Sequence, residues 1–480
     1  MWDLLKYHDN IAVVDDSGNK VSYSELDRVG KELCSTISEN NGDGTARCLV
    51  FSMCSNTLGS ITGYISFLNG KIVPIMLKHD LDEEMLENLY YDYEPAYIWV
   101  ADEGLKRPLF REMVSAYRAY GYNLLKTPFG KKTGLYPELA LLLTTSGSTG
   151  SPKLVRQSYA NIRANTDSIK TYLKLDSSER PITMLPMNYT YGISIINTHI
   201  DVGASILLTD KGIMQRDFWS FFRENGATSI AGVPYTYEML KRLRFFSMNI
   251  PSLKTMTQAG GKLLPELHKE FAQYAKDTDR KFVVMYGACE ATARMGWLPP
   301  EKSLEKQGSM GVAIPGGNFE LIDIDGCVFD EPDKVGELVY YGENVTLGYA
   351  EKASDLIKGD EREGSYITGD MAQKDADGFY YIVGRKKRFL KIFGNRVNLD
   401  DCERLLKNAF DETDIACSGI DDKLYIFGTE GVDLGKMEKF LSEKTGLNTA
   451  AFVTIKLEEI PHNESGKIAY REFEKYFVNK

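Results

Sequence analysis

The run Leu141-Leu142-Leu143-Thr144-Thr145-Ser146-Gly147-Ser148-Thr149-Gly150-Ser151-Pro152-Lys153 constrains this chain more than any other. An apolar segment of strand length passes directly into hydroxyls, glycines and one lysine. Together they supply the backbone N–H groups, hydroxyl donors and cation that phosphate oxygens require. A flexible Ser/Gly linker would not follow an apolar strand and end in Pro-Lys. A Walker loop is disfavoured as well, because its lysine follows glycine directly and here Ser151 and Pro152 intervene. Nucleotide phosphate is the natural ligand.

The surrounding rhythm is one of alternating strands and helices. Strands are expected at 48–53, 71–76, 139–144, 204–208 and 229–233, with helices at 55–69, capped by Ser55, and at 159–173. Such alternation argues for a parallel α/β sheet. After Gly308 the texture changes to short strands with Gly and Asp turns at 319–324, 336–341 and 378–383, a β-rich subdomain ending near Gly384. The remainder reads as helices near 400–409 and 436–445 with strands near 423–427 and 452–456. The expected fold class is therefore α/β, with a large multi-layer N-terminal domain that includes the β-rich subdomain (1–384) and a small α+β C-terminal domain (385–480). With 480 residues, 43% of them hydrophobic, there is ample material for such a core.

Other classes are excluded by charge and composition. The formal net charge is -11 and basic residues are scattered, so no footprint for nucleic acid is present. Met1-Trp2-Asp3-Leu4-Leu5-Lys6 lacks the pattern of a signal peptide, and no long uncharged apolar run implies a membrane span, so a cytoplasmic protein is expected. The seven cysteines include no CxxC pair and only five histidines are present, which fits neither a disulfide framework nor a zinc site.

With further motifs in order, the chain resembles the AMP-forming adenylating enzymes: acyl-CoA synthetases, peptide synthetase adenylation domains and firefly luciferase. Thr145, Ser146, Gly147, Ser148, Thr149, Gly150 and Lys153 match that family's phosphate loop. Tyr286-Gly287-Ala288-Cys289-Glu290 resembles its Tyr-Gly-x-Thr/Ser-Glu motif, which implies Tyr286 and Gly287 beside the adenine and Glu290 as the magnesium ligand, a hard oxygen donor suited to that ion. Cys289 departs from the usual hydroxyl; with no base close in sequence, a nucleophilic role for it is disfavoured. Thr368-Gly369-Asp370 resembles the element whose aspartate binds ribose hydroxyls, and Arg385 in Gly384-Arg385-Lys386-Lys387-Arg388 would contact ribose too. Lys387 sits at the family's hinge, and Lys391 and Gly394 would line the thiol channel of a mobile C-terminal domain. Gly466-Lys467 resembles the final motif, making Lys467 the catalytic lysine bridging carboxylate and α-phosphate, with Glu290 and Thr145 its catalytic partners. Gly260 and Gly261, in Thr257-Gln258-Ala259-Gly260-Gly261-Lys262-Leu263, would lie beside the acyl group and the adenine.

The resemblance implies ATP, magnesium and a thiol co-substrate: CoA, or the phosphopantetheine of a separate carrier protein, since no Gly-Gly-x-Ser carrier site occurs in the chain. The implied activity is acyl-AMP formation from a small-molecule carboxylic acid, then transfer to the thiol, most like an acyl-CoA synthetase. A ligase charging a free-standing carrier protein and a non-catalytic nucleotide sensor are the alternatives. The acyl pocket is expected to include Tyr189, Tyr191, Gly192, Tyr235 and Gly260. No Phe-Asp pair stands in 185–192, which argues against an α-amino acid. Thr190 and Tyr237 belong to the same set of hydroxyl-tipped candidates, though packing in the core is an equal alternative for several of the tyrosines. Arg294, four residues after Glu290, is expected at the surface rather than facing a second acidic group.

Overall fold

Five consecutive apolar residues, Leu139 to Leu143, are buried in the strand Leu139–Thr144, and only a strand covered on both faces takes such a run. It lies inside an eight-stranded sheet ordered Gly348–Ala350, Leu154–Ser158, Leu139–Thr144, Val73–Lys78, Leu49–Cys54, Tyr97–Ala101, Tyr122–Lys126, Ser115–Ala119. The four central strands, Leu139–Thr144 to Tyr97–Ala101, are parallel, and those outside them pair antiparallel. The computed structural model describes residues 1–42, 44–131, 134–144, 153–393, 395–410, 414–462 and 468–477, without the side chains of Lys387, Phe389, Lys391, Asn395 and Arg396.

The helix Leu58–Asn69 follows the first central strand and is buried from Leu58 to Leu68, so it is a core element. It begins after Thr57 rather than at Ser55. The Ser55 hydroxyl lies 2.8 Å from that of Tyr122 and 3.0 Å from that of Thr57, and is therefore not the expected cap. Tyr159–Leu173 starts where the sequence reading puts it, because Ser158 and Asn161 form a reciprocal capping box. A second sheet carries Ser229–Gly232, Thr255–Gln258 and Lys281–Tyr286 in parallel, then Gly296–Trp297 and Val312–Ala313 antiparallel.

Packing divides the chain into two units, Met1–Asn318 with Tyr340–Tyr366, and Phe319–Val339 with Ile367–Lys480. The sequence reading draws its line at residue 384; by packing, 319–339 and 367–384 group with the C-terminal segment. In the second unit the helices Leu399–Phe410 and Leu434–Thr445 bury Leu406 and Leu441 with Ile426 of the three-stranded sheet Ile415–Ile420, Lys423–Gly428, Phe452–Lys456. No helix among the described residues is long and apolar enough to cross a membrane.

Candidate active site

In the first unit, the candidate phosphate loop leaves the strand Leu139–Thr144 and returns as Leu154–Ser158. Thr144 and Leu154 are paired in register, which brings the two ends of the loop side by side. Thr145, Ser146, Gly147, Ser148, Thr149 and Gly150 lie outside the described residues. Lys153 is described, exposed and 2.6 Å from Glu351.

The strand Lys281–Tyr286 delivers the next motif. A Cβ on Gly287 would stand 1.7 Å from the Ala293 carbonyl oxygen, so only glycine lets the chain fold back here. The short turn Cys289–Ala291 follows, and then Thr292 at φ 63° and ψ -58°. The Ala293 N–H donates to Ala291 O at 2.7 Å, closing a γ-turn of the rare kind with positive φ. Glu290 at the head of this turn is gripped from three sides. Its Oε1 accepts the Tyr349 hydroxyl at 2.7 Å, and its carbonyl accepts Thr346 N–H, the Thr346 hydroxyl and Arg362 Nη1, each at 3.0 Å. Arg362 in turn covers the Tyr349 ring at 4.6 Å. These supports escape sequence reasoning, because Tyr349 and Arg362 reach Glu290 from 59 and 72 residues away.

Cys289 packs against the hydrophobic core. Burial, with Glu290 adjacent, pushes its thiol far up, so it stays protonated at neutral pH and is no nucleophile.

The acyl candidates separate into three situations. Tyr189 and Tyr191 meet edge to face at 6.3 Å, and Gly260, at φ 86°, sits where a Cβ would be 2.7 Å from the Tyr189 hydroxyl. Gly192 opens the helix Thr190–Asp201 against backbone; a Cβ there would lie 2.2 Å from Pro186 O. Tyr235, in the first turn of Pro234–Arg242, is exposed at 57%. Tyr237 is a core residue, its hydroxyl spent on Thr257 O at 2.7 Å and its ring against Phe271 and Phe282. Gly261 is fixed by Gln258, whose Nε2 donates to its carbonyl at 2.9 Å.

Arg294 corrects the sequence reading: it is 3% exposed, with its guanidinium 3.9 Å from the centre of the Tyr191 ring and its Nε 3.3 Å from the Met285 sulfur. Two aromatic and thioether neighbours bury a charge that local sequence gives no reason to bury.

In the second unit, Asp370 and Arg385 are direct cross-strand partners, and Arg385 Nε lies 2.6 Å from Asp370 Oδ1. Asp370 is 3% exposed and its N–H is held by the Thr368 hydroxyl at 3.0 Å. Lys387 lies in the turn Lys386–Arg388 and Lys391 in the strand Phe389–Ile392. Gly394 and Lys467 fall outside the described residues. The segment holding Lys467 is flanked by His462 and Ile468, which form an antiparallel bridge, with Ala469 N–H donating to Pro461 O at 2.8 Å.

A metal ion can be tested against these residues. Among those described, no group of three or more His, Cys, Asp or Glu is placed to hold one. Glu290, with one carboxylate oxygen held by Tyr349, offers the other, and magnesium needs only one or two carboxylates when phosphate oxygens and water complete its shell. The residues fit magnesium bound with a nucleotide and no all-protein cage.

The family model described as AMP-binding enzyme matches residues 2–350. The oxalate–CoA ligase of Arabidopsis thaliana is 26% identical over 357 residues, covering 71% of this chain and 68% of that enzyme. An L-proline–[L-prolyl-carrier protein] ligase of Pseudomonas fluorescens is 28% identical over 277 residues, covering 56% of this chain and 53% of that one. Among solved structures, o-succinylbenzoate coenzyme A synthetase from Bacillus subtilis, in complex with ATP and magnesium ion, superposes with a TM-score of 0.79 at 18% identity and covers 98% of both chains.

Proposed function

The chain belongs to the AMP-binding enzyme family and is an AMP-forming acid–thiol ligase, and on that premise we propose that it converts a small-molecule carboxylic acid to acyl-AMP with release of pyrophosphate, then passes the acyl group to CoA. The observation that carries this reading is the anchored Glu290: a carboxylate at the end of a sheet strand, fixed by Tyr349, with an oxygen left for a cation. A carboxylate ion is a poor electrophile, and phosphoryl activation by ATP gives it a leaving group.

In the proposed mechanism, the acid's carboxylate attacks the α-phosphorus of ATP. Lys467 and the 145–153 segment offset the charge that gathers on the α-phosphate and leaving oxygens. Magnesium, held by Glu290, would neutralise phosphate charge. Asp370 and Arg385, paired across their two strands, would hold the ribose hydroxyls, while Tyr189, Tyr191 and Gly260 orient the acid and Tyr286, Gly287 and Gly261 the adenine. The thiol then attacks the acyl carbonyl and AMP departs. Rotation at Lys387, with Lys391 and Gly394 in the thiol channel, would separate the two steps, residues 385–480 moving as the small domain. Cytoplasmic placement belongs to the same proposal.

A carrier-protein thiol as acceptor is the second reading, favoured by the likeness to the prolyl-carrier ligase. The non-catalytic nucleotide sensor finds no support in the family match. Acid-dependent ATP–pyrophosphate exchange, followed by product analysis with CoA and with carrier proteins, tests the proposal. Lys467→Ala should lose exchange by about 100-fold or more yet keep thioester formation from supplied acyl-AMP; equal loss of both steps would remove Lys467 from its role.

A further inference from the structure

A guanidinium cannot shed its charge by deprotonation, so burying one without a counter-ion is heavily penalised. Arg294 is in that position. It is 3% exposed, and among the described residues its side chain meets the Tyr191 ring, the Met285 sulfur and the Tyr172 hydroxyl, with no carboxylate at ion-pair distance. None of the three carries a formal negative charge: a ring face, a weak sulfur acceptor and a neutral phenol. The fold keeps the arginine oriented all the same. Its carbonyl accepts Nδ2 of both Asn165 and Asn344 at 2.9 Å, so the backbone beneath it is pinned.

Its location gives the charge a use. Arg294 lies four residues past Glu290, beyond the γ-turn, and covers Tyr191, which meets Tyr189 in the wall assigned to the acid. Arg294 and Thr257 also line a cavity of about 30 Å³ together with Ser194, Thr198 and His199. The Tyr191 hydroxyl donates to Thr257 Oγ1 at 2.8 Å, which ties that wall to the cavity. The lining is largely apolar, so its few polar groups stand out, and His199 Nε2 is buried there without a partner. Glu179 also lines the cavity; it accepts the Thr228 hydroxyl and makes no ion pair with Arg294. Space of this size holds one or two waters, or the end of a small acid that displaces them, and no long alkyl chain.

We propose that Arg294 receives a second carboxylate, so that the enzyme activates short dicarboxylic acids, one carboxylate reacting near Glu290 and the other paired with Arg294. This rests on the adenylation reading above. A planar guanidinium matches a carboxylate with two parallel hydrogen bonds, and the incoming charge supplies the counter-ion that the fold leaves out.

The test is ATP–pyrophosphate exchange with matched short mono- and dicarboxylic acids of equal carbon number, on the full chain and on Arg294→Gln and Arg294→Lys, with thermal melts in the presence of each acid. The diacid should exceed its monoacid partner in kcat/KM by about 100-fold or more, since a site built for a polar group rejects the analogue lacking it. Arg294→Gln should lose about 100-fold for the diacid, mainly in KM, and stay within about threefold for the monoacid, with Arg294→Lys recovering part. The diacid should also raise Tm in the parent and not in Arg294→Gln. Equal use of both acids, or a uniform loss across acids in Arg294→Gln, overturns the diacid site and leaves adenylation intact. A diacid-dependent rise in Tm, abolished in Arg294→Gln but without exchange, would keep the arginine site and remove the adenylation reading. Silence in both assays overturns the diacid site.

Discussion

A β-branched residue at positive φ costs about 1–3 kcal/mol, and Thr292 is held there beside Glu290. Its neighbours over-determine the turn. The Thr292 hydroxyl donates to Asn344 O at 2.7 Å, Asn344 Nδ2 donates to Ala291 O at 2.9 Å, and the Tyr340 hydroxyl reaches Asn344 Oδ1 at 2.8 Å. Strain so clamped holds one residue in place, and here that residue is Glu290. Tyr349 completes the fixation from the side-chain end, where its hydroxyl sets which carboxylate oxygen remains for a cation. Tyr349→Phe removes the hydroxyl that meets both Glu290 and Arg362 and keeps the ring under the guanidinium. Tyr349 is half-exposed, so stability should change by about 1 kcal/mol or less. Exchange activity should fall about tenfold, with more magnesium needed for half-maximal rate. Titrating magnesium against exchange in the two proteins checks this, and an unchanged magnesium dependence would reduce Tyr349 to packing.

Helix Pro265–Asp277 carries a buried titratable group that the chemistry does not use. His268, 1% exposed, accepts Gly308 N–H on Nδ1 at 3.3 Å, so Nε2 bears the proton and donates to Ser303 Oγ at 2.9 Å. Both nitrogens are occupied in the neutral ring, and burial lowers its pKa from 6.5 to about 4. Between those values the unfolded chain binds the additional proton, so this contribution is complete above pH 6.5 and is lost as pH falls toward 4. The loss amounts to roughly 3 kcal/mol, and chemical denaturation from neutral to acid pH should show it, with a shallower slope in His268→Gln. His199 shifts in the same direction by burial and adds to the slope. Elements are legible in the sequence where local pattern suffices. The unbroken apolar run of Leu139–Thr144 and the Ser158/Asn161 pair heading Tyr159–Leu173 both fall where the sequence puts them. Antiparallel outer strands are not legible, because an apolar strand does not declare the direction of its neighbour. The same limit holds at the candidate site. Asp370 and Arg385 are found by motif and meet by register, whereas Tyr349 and Arg362 reach Glu290 across 59 and 72 residues. Arg294 looks like a surface residue until Tyr191 folds over it.

On the scale of the whole molecule, two half-reactions with opposite needs must share one set of residues, and the proposed division falls at Lys387. The packing inside the second unit gives that residue a physical setting. Arg388, next in the chain, is buried and bound to Asp400, to Glu403 at 2.7 Å and to Cys417 O at 3.0 Å, with its guanidinium 3.7 Å from the Tyr470 ring. Arg388 is thereby tied to the core that Leu399–Phe410 forms with Ile415–Ile420 and Lys423–Gly428. Just upstream, Arg385 is tied to Asp370. A rotation between these anchors has Lys386 and Lys387 to absorb it, and must break the bonds from Arg385 N–H to Asp400, at 3.2 Å, from Asn398 Nδ2 to Val383 O, at 2.7 Å, and from Lys386 Nζ to Glu337, at 2.7 Å. The Arg385 bond is exposed and costs about 1 kcal/mol to break, whereas Glu337 is buried and losing its lysine costs about 1–3 kcal/mol. Proline at 387 fixes φ near -65° and removes the freedom that the second step requires. Lys387→Pro should therefore leave acid-dependent pyrophosphate exchange within about fivefold while slowing thioester formation from supplied acyl-AMP by about 100-fold or more. Exchange and single-turnover thioester assays on the same preparation separate the two. A matched loss in both would move the pivot elsewhere in the chain, and a loss confined to exchange would reverse which step the described arrangement of 385–388 serves.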